Sequence, residues 1–286
     1  SWMENTVLER AREAEQYIPE KYTTELKGIA AGSGIDYEHI MALNTLSDTA
    51  DSFRSFFCTS VAVKRQDGKL IRSRSLEYNS ISPSQSTSNI LYIYQPSRGY
   101  AFASVSGPLN MGVGTAMNET GLNLGEHSIY KSSQYWKGIP NGILNRKILE
   151  NAASVEEAGE ILRKAPRSRP VMQMVTDTKK ARIYEYDSEQ IGYKDMDEGR
   201  LILTNYTHVL NIGAPYNCRR FSSASNFLNN HRGRIDVRKL VELNRNAYIS
   251  RVDEFSEKFY SIHLAIFIPE ALDFWIAVDP PPASRG

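Results

Sequence analysis

The chain has only two cysteines in 286 residues, Cys58 and Cys218, and it lacks a run of about eighteen consecutive apolar residues. Two cysteines cannot build a disulfide framework, and a transmembrane helix requires such an apolar run. The opening residues 1–5 are not those of a signal peptide. We therefore expect a soluble chain without a targeting segment, and its compartment stays open.

Neither sign of charge is in excess. Lys and Arg number 34 and Asp and Glu number 33, so the net charge is +1. This balance provides no electrostatic attraction to nucleic acid, and we expect no such partner. Neither cysteine lies in a CxxC or His-rich spacing, so we expect no metal and no cofactor. A hydrophobic content of 41% is ample for one globular core, and a homo-oligomer is possible.

The most informative feature is a hairpin pattern that starts at Cys58. Residues 58–63 favour a strand that begins at the thiol, and Asp67-Gly68 is a strong turn signal. The return strand over 70–78 would carry Arg74 and Glu77 back toward the start of the first strand. The pattern therefore predicts that a thiol, a guanidinium and a carboxylate lie close together.

Elements elsewhere follow from periodicity and turn signals. Strands, then helices, then strands predict two sheet layers covered by helices. A capping box of Ser154 and Glu157 starts one of these helices. Gly32 is expected to end an N-terminal helix, and the Ser-rich stretch 80–88 is expected to be a loop at the mouth of a site. Helices are predicted at 7–17, 22–31, 36–44, 141–151, 155–164, 220–229 and 237–244, and strands at 90–94, 101–105, 112–117, 122–127, 171–176, 182–186, 201–203, 262–267 and 274–278.

A cysteine that transfers acyl groups needs a base, because a free thiol is mostly protonated near neutral pH. The chain has five histidines, so a Cys-His pair stays open, although no papain or caspase signature surrounds Cys58. The alternative interpretation is that Cys58 is an ordinary buried strand cysteine.

The hairpin resembles the cysteine N-terminal nucleophile hydrolases of the choloylglycine hydrolase, acid ceramidase and isopenicillin N acyltransferase-like superfamily. The β chain of these proteins begins Cys-Thr-Ser or Cys-Thr-Thr, and a Gly-Arg-Asn-Leu/Met-Asp segment follows. Here Cys58-Thr59-Ser60 precedes the segment 73–77, Ser-Arg-Ser-Leu-Glu, with Arg74 at the family's distance from the thiol. The resemblance implies an α+β fold, a four-layer αββα sandwich with an N-terminal helical segment. It also implies that 1–57 is a helical pro-segment (α chain) packed on a catalytic β chain, 58–286.

The resemblance further implies the catalytic residues. Cleavage of the Phe57–Cys58 bond would free the α-amine of Cys58, which then serves as the base. Arg74 would favour the thiolate, and Glu77 stands where an Asp normally orients the α-amine. In the run 204–208, Thr-Asn-Tyr-Thr-His, Asn205 is similar to the family's oxyanion donor. A catalytic arginine follows it; Arg220 is our choice, and Arg219 is the alternate.

Substrate-binding residues are expected beside these. The run 117–128 resembles a family turn and strand in which a further Asn serves the oxyanion hole, but Ser128 occupies that position here. We expect this strand to line the pocket and His127 to be a hydrogen-bonded strand residue rather than a base. The predicted substrate-binding residues are Phe57, Tyr78, His127, Ser128, Tyr130 and Tyr206.

These residues predict an autoprocessed cysteine amidohydrolase that cleaves a linear amide through an acyl-thioester on Cys58. Its partner would be a small-molecule N-acyl substrate with an apolar acyl group. An acyltransferase that moves an acyl group from a thioester to an amine is the second candidate, because the same acyl-enzyme serves both reactions. The third is an inactive, unprocessed homologue that only binds an acyl ligand, since Phe57, Glu77 and Ser128 depart from the family pattern.

Overall fold

The computed structural model describes residues 2–49, 56–79, 89–129, 137–210, 218–245 and 259–278. Three helices open the chain: α1 (Trp2–Glu15), α2 (Glu20–Ser33) and α3 (Tyr37–Thr49). Helix α2 extends two residues beyond the predicted end at residue 31. The left-handed residue that follows it is Gly34, with φ of 71°. Gly34 donates its main-chain N–H to Ala30 O, so the prediction that Gly32 caps this helix is wrong.

The other elements alternate between sheet and helix along the chain. The strands are β1 (Phe56–Lys64), β2 (Leu70–Asn79), β3 (Ile90–Tyr94), β4 (Phe102–Ser106), β5 (Thr115–Asn118), β6 (Asn123–Ser128), β7 (Val171–Thr176), β8 (Ala181–Tyr186), β9 (Ile191–Asp195), β10 (Arg200–Leu203), β11 (Phe259–Ile268) and β12 (Asp273–Ala277). The helices are α4 (Asn141–Asn151), α5 (Val155–Lys164), α6 (Arg219–Asn230) and α7 (Val237–Asn244). The expected 80–88 loop lies outside the described residues.

The hairpin predicted at Cys58 is present, with a longer first strand. β1 begins at Phe56 rather than at the thiol, and it pairs antiparallel with β2 so that Cys58 lies opposite Leu76. Gly68 takes φ of 83° in the turn, a conformation that residues with a Cβ rarely adopt. The register places Ser60 opposite Arg74, which brings the guanidinium to the thiol end of the strand.

Among the described strands, two antiparallel sheets form the centre of the molecule. The five-stranded sheet has the order β10-β1-β2-β11-β12, and the seven-stranded sheet runs β3-β4-β5-β6-β7-β8-β9. Their facing sides meet through small and flexible apolar side chains. This inner core includes Ala62, Met172, Met174, Ile183 and Leu203.

Helices cover both outer faces. α4 and α5 pack with α2 and α3 against the seven-stranded sheet, while α6 and α7 cover the five-stranded sheet. The larger outer core includes Leu26, Met41, Ile143, Leu149, Leu162 and Val175, and the smaller includes Val61, Ile71, Leu228 and Leu240. The predicted αββα sandwich with an N-terminal helical segment is confirmed.

Partly buried ion pairs and hydrogen bonds also tie the N-terminal helices to the rest. Arg146 of α4 donates two hydrogen bonds of 2.7 Å to Glu25 of α2, and its Nε lies 2.9 Å from Glu150. Tyr22 donates to the same Glu150 at 2.9 Å. Residues on both sides of the proposed 57/58 boundary therefore share one core. Among the described residues, no helix has the length and apolar character needed to cross a bilayer.

Candidate active site

The main-chain nitrogen of Cys58 is held by a side chain from the neighbouring strand. Asn205 follows the end of β10, which pairs with β1, and its Oδ1 accepts the Cys58 N–H at 2.9 Å. The Nδ2 of the same amide donates to Ser128 O at 2.9 Å. Asn205 therefore bridges the backbone of Cys58 and the end of β6 in the facing sheet.

Arg220 contacts the same residue from the other side. Its Nη1 lies 2.5 Å from Cys58 O and 3.1 Å from Thr59 Oγ1, and its Nη2 donates to Asn205 Oδ1 at 2.9 Å. Arg220 is buried in the first turn of α6, whereas Arg219 is exposed. Between the two predicted arginines, the geometry brings Arg220 to the site and leaves Arg219 on the surface.

Arg74 reaches the sulfur from the return strand. Its Nη2 lies 3.8 Å from Cys58 Sγ and donates to Glu126 O at 2.9 Å. Its Nη1 contacts Thr115 Oγ1 and lies 3.3 Å from His263 Nε2. The guanidinium is fully enclosed, and a Cβ added to Gly125 would lie 2.5 Å from Arg74 Nε. Because Gly125 of β6 has no side chain, the Arg74 guanidinium has room at this position.

The Cys58 side chain is 1% exposed, and burial raises the pKa of its thiol to about 12. The positive charges of Arg74 and Arg220 act in the opposite direction, but they do not outweigh the loss of hydration. In the continuous chain, Cys58 is thus a neutral thiol near neutral pH. Any attack by this sulfur must therefore be accompanied by transfer of its proton to another group.

Glu77 lies on β2 opposite Phe57, the residue before Cys58. Its side chain is fully buried, and its negative charge is a further factor that raises the pKa of the Cys58 thiol. That effect requires the carboxylate to be near the sulfur. The structure therefore brings together Cys58, Arg74, Glu77, Asn205 and Arg220, although their catalytic roles stay predictions.

A cavity of about 500 Å³ opens beside Cys58. Cys58, Arg74 and Leu76 reach its wall from the hairpin, and Ser128 and Glu126 reach it from β6. Helix α3, from the N-terminal segment, forms another part. The apolar lining comprises Leu43, Leu46, Leu76, Val105, Pro108, Val113 and Ile262. The space is therefore suited to an apolar group that ends at the thiol.

The predicted substrate-binding residues divide between the cavity and its surroundings. Ser128 lines the cavity, but His127 and Tyr206 do not. The ring of Tyr206 packs against His208 and Phe221, with centroids 4.6 and 5.2 Å away. Tyr130 and the side chains of Phe57 and Tyr78 lie outside the described part of the structure.

His127 is a buried residue of β6 that supports the site through hydrogen bonds. Its Nε2 lies 2.8 Å from Ser60 Oγ, and its Nδ1 lies 3.1 Å from Thr204 O, next to Asn205. Burial and the charge of Arg74 hold the pKa of His127 well below its usual range. It is neutral and engaged at both nitrogens, which does not favour a role as the base of a Cys-His pair.

Thr115, Glu126 and His263 are among the lining residues that the sequence did not identify. Thr115 Oγ1 lies 2.9 Å from His263 Nε2, and Glu126 holds Arg169 at 2.7 Å. Thr115 starts a short strand where the sequence predicted a longer one over 112–117. Gly112 to Gly114 line the cavity instead. The glycine-rich run before Thr115 could have indicated this part of the cavity wall, because glycines in a strand often mark a place where a ligand or another backbone approaches closely.

Over the described residues, no group of three or more His, Cys, Asp or Glu side chains could hold a metal ion. The charged side chains that line the cavity among them are Arg74 and Glu126. The site therefore offers a thiol, amide and guanidinium groups, and a largely apolar space.

Solved structures with this fold include amide hydrolases by name. The Caenorhabditis elegans ortholog of N-acylethanolamine-hydrolyzing acid amidase superposes with a TM-score of 0.59 at 18% identity, over 77% of this chain and 99% of that one. A variant of conjugated bile acid hydrolase from Clostridium perfringens gives 0.56 at 15% identity, over 77% and 89%. The fold is that of the N-terminal nucleophile hydrolases, as the resemblance predicted.

Two sequence relatives align with part of the chain. An uncharacterized protein of Archaeoglobus fulgidus is 24% identical over 218 residues, and the C. elegans N-acylethanolamine-hydrolyzing acid amidase is 26% identical over 192 residues. These alignments cover 66% and 59% of this chain but only 36% and 51% of the two relatives. The model of the family described as acyl-coenzyme A:6-aminopenicillanic acid acyl-transferase matches residues 81–283, which begin after the Cys58 hairpin. The match spans most of the chain, and the protein therefore belongs to the acyl-coenzyme A:6-aminopenicillanic acid acyl-transferase family.

Proposed function

We propose that this protein is a cysteine amidohydrolase that cleaves a linear N-acyl amide through a thioester on Cys58. One observation carries the proposal: Asn205 and Arg220 bind the main-chain atoms of Cys58, while Arg74 contacts its sulfur at the cavity wall. An ordinary buried cysteine does not require three polar side chains around its own backbone and thiol. The names of the C. elegans and C. perfringens relatives also support amide hydrolysis.

The first step would be cleavage of the chain itself. The Cys58 thiol attacks the Phe57 carbonyl carbon; the carbon–nitrogen bond breaks, and the nitrogen takes up the proton. Water then hydrolyses the thioester, which leaves a carboxylate on Phe57 and a free thiol and amine on Cys58. The amine has a reference pKa of about 8, so it can accept the thiol proton near neutral pH. Glu77, on the strand opposite Phe57, would orient this amine.

Turnover would use the same atoms. The amine takes the thiol proton, the thiolate attacks the substrate carbonyl, and the Asn205 amide donates to the oxyanion. Collapse of the tetrahedral intermediate expels the amine of the substrate, which takes the proton. Water then attacks the thioester and releases the carboxylic acid. The apolar cavity lining supports a substrate with an apolar acyl group.

Acyl transfer is a second candidate, and the name of the family favours it. The acyl-enzyme would be the same, but an amine rather than water would accept the acyl group. A third possibility is an uncut homologue that only binds acyl ligands. It predicts no fragment that begins at Cys58 and no turnover of any N-acyl amide.

The test is a substrate panel on wild type and Cys58→Ala, with acyl amino acids, acyl ethanolamines, conjugated bile salts, ceramide, acyl-homoserine lactones and penicillins. Free acid from the wild type but not from Cys58→Ala supports hydrolysis. If product forms only when an acyl thioester and an amine are both added, the transferase is correct. If Cys58→Ala retains turnover, the mechanism is wrong. Asn151→Ala, which changes an exposed residue, is the control for handling and folding.

A further inference from the structure

Strand β3 forms one edge of the seven-stranded sheet, and two of its side chains are large, apolar and exposed. Leu91 is 54% exposed and Ile93 is 64% exposed. The strand has no charged residue over 90–94. Natural edge strands usually carry charges or a covering element, because an open apolar edge promotes association. An exposed apolar patch of this kind is typical of a binding surface.

The exposed pair lies on the side of β3 that faces the second sheet. Tyr94 stacks on Phe102, and the guanidinium of Arg146 from α4 lies over its ring, so Tyr94 is on the helix-covered side. Successive side chains of a strand point to opposite faces. Leu91 and Ile93 are therefore directed toward the side of the five-stranded sheet.

The five-stranded sheet is too narrow to cover β3. β10 faces β8, β1 faces β6, and β11 faces β5 through Phe267 and Met117. The next strand outward, β12, therefore lies over β4, and among the described strands none lies over β3. At the other edge of the wider sheet, the side chains of Val209 and Leu210 lie against Gly192 of β9. The overhang at β3 is exposed by contrast.

The exposed face is continuous with the wall of the cavity. Leu91 pairs with Val105 of β4, and side chains directly opposite each other on one face of a sheet lie about 5 Å apart. Val105 lines the cavity beside Cys58, as does Asn89, which immediately precedes β3. Ile93 is the next residue along the same face. An apolar path therefore leads from the cavity past Val105 to Leu91 and then to Ile93.

We propose that Leu91 and Ile93 form an outer subsite for the distal part of the substrate's acyl chain and so favour long acyl chains over short ones. The inference rests on the proposed function and specifies its substrate class as long-chain N-acyl amides. The acyl chain is the occupant because the exposed face continues the cavity wall, and β3 has no charged side chain for a polar partner. Each methylene that leaves water against this face adds favourable free energy, so affinity should rise with chain length.

The test uses two ligand series, N-acylglycines and N-acylethanolamines, each with butanoyl, octanoyl, dodecanoyl and hexadecanoyl chains. Leu91→Thr and Ile93→Thr are combined, since threonine keeps the strand propensity and removes apolar surface. Tyr193→Thr is the matched control, because Tyr193 is an exposed residue of β9, the opposite edge strand of the same sheet. Calorimetry with both series in a Cys58→Ala background, with and without the double substitution, gives a readout that needs no turnover.

In wild type, kcat/KM should rise from the butanoyl to the hexadecanoyl member of at least one series, chiefly through KM. The double substitution should reduce the hexadecanoyl-to-butanoyl ratio by about 3- to 10-fold, in turnover and in binding, the effect of about one to two buried methylenes. The butanoyl member should be unaffected, and Tyr193→Thr should leave the ratio unchanged.

An unchanged ratio in the double variant, in turnover and in binding, would overturn the inference and leave the proposed reaction intact. Sedimentation with phosphatidylcholine vesicles and size exclusion detect two other occupants of β3, a lipid surface and a second copy of the chain. If the double variant loses either association while the ratio is unchanged, that occupant covers β3 and the inference is wrong. It is also wrong if neither series binds. If wild type turns over no amide but the double substitution still reduces the binding ratio, the proposed reaction fails and the role of Leu91 and Ile93 stands.

Discussion

Asn205 and Cys58 are joined by a hydrogen bond of 2.9 Å between the side-chain Oδ1 and the main-chain nitrogen. In the uncut chain that nitrogen is an amide, and after the proposed cleavage it is the amine that serves as base. The same Oδ1 accepts from Arg220 Nη2, which fixes the orientation of the Asn205 amide beside the Cys58 nitrogen. Asn205 is therefore placed to affect both processing and turnover.

We expect Asn205→Ala to lower kcat by about 10²- to 10³-fold, the usual loss when an oxyanion donor is removed. Processing should also slow, because the Cys58 nitrogen loses its acceptor. Steady-state kinetics and the fraction of cut chain on a denaturing gel measure the two effects. Asn151→Ala, an exposed asparagine of α4, is the control. Wild-type kinetics in Asn205→Ala would remove this residue from the mechanism.

The thiol of the uncut chain should be unreactive near neutral pH. Burial raises the pKa of Cys58 to about 12, so the neutral thiol is favoured and the thiolate forms only as the pH approaches that value. In a Cys218→Ser background, the alkylation rate of uncut protein should rise continuously up to about pH 10 without a plateau. Processed protein should react faster. A plateau near neutral pH in the uncut chain would show that its thiol is already ionised.

Gly125→Ala should disturb the site without replacing any of the predicted catalytic residues. The new Cβ would lie 2.5 Å from Arg72 Nη2 and from Arg74 Nε, so the guanidinium groups must move. We expect a loss of about 1–3 kcal/mol in the free energy of unfolding, as for other overpacked cores, together with reduced turnover. Chemical denaturation and kinetics measure both. Gly28→Ala is the matched control, since its helix position is open and alanine favours helices. Equal effects from both substitutions would contradict this account of Gly125.

Asp48, at the end of α3, should hold the N-terminal segment on the catalytic part after cleavage. Its Oδ1 accepts from the Asn141 N–H at 3.0 Å and from Ser168 Oγ at 2.5 Å, and it lies 3.4 Å from Arg169 Nε. Asp48→Ala leaves the buried Asn141 N–H and Ser168 hydroxyl without this acceptor, while Arg169 keeps Glu126 as its partner. We therefore expect the free energy of unfolding to fall by about 1–3 kcal/mol.

The measurement is release of the 1–57 fragment from processed protein in a urea series, by size exclusion. Glu38→Ala removes an exposed carboxylate that pairs with Arg12, and it should change little. If the Asp48 variant retains the fragment at the same urea concentration as the Glu38 variant, the buried contacts of Asp48 do not hold it.

Local sequence signals predicted most of the fold because they are short-range. Ser154 caps α5 by accepting the Glu157 N–H, as the capping box indicated, and α4, α5 and α7 begin and end where predicted. β9 was missed because it is a short edge strand of largely exposed residues, with only Ile191 and Tyr193 as apolar positions. The edge position, rather than propensity, makes it a strand.

Local sequence patterns predicted only the hairpin part of the candidate site, whereas the distant Asn205 and Arg220 were identified through the family resemblance. Arg74 and Glu77 return to Cys58 through one hairpin, and a local pattern can encode that geometry. Thr115 and His263 meet at 2.9 Å across the two sheets, and His263 arrives there through a register shift. No periodicity over a few residues specifies such a contact, because it depends on how the sheets pack.

The central claim is that Cys58 becomes the first residue of the catalytic chain before turnover begins. The most direct measurement is N-terminal sequencing of homogeneous protein whose amidase activity has been measured on the same sample, with Cys58→Ala alongside. We expect the active protein to show a terminus that begins Cys-Thr-Ser beside the Ser1 terminus, and Cys58→Ala to be uncut and inactive. Active protein with the Ser1 terminus alone would contradict both the cleavage and the use of the Cys58 amine as base.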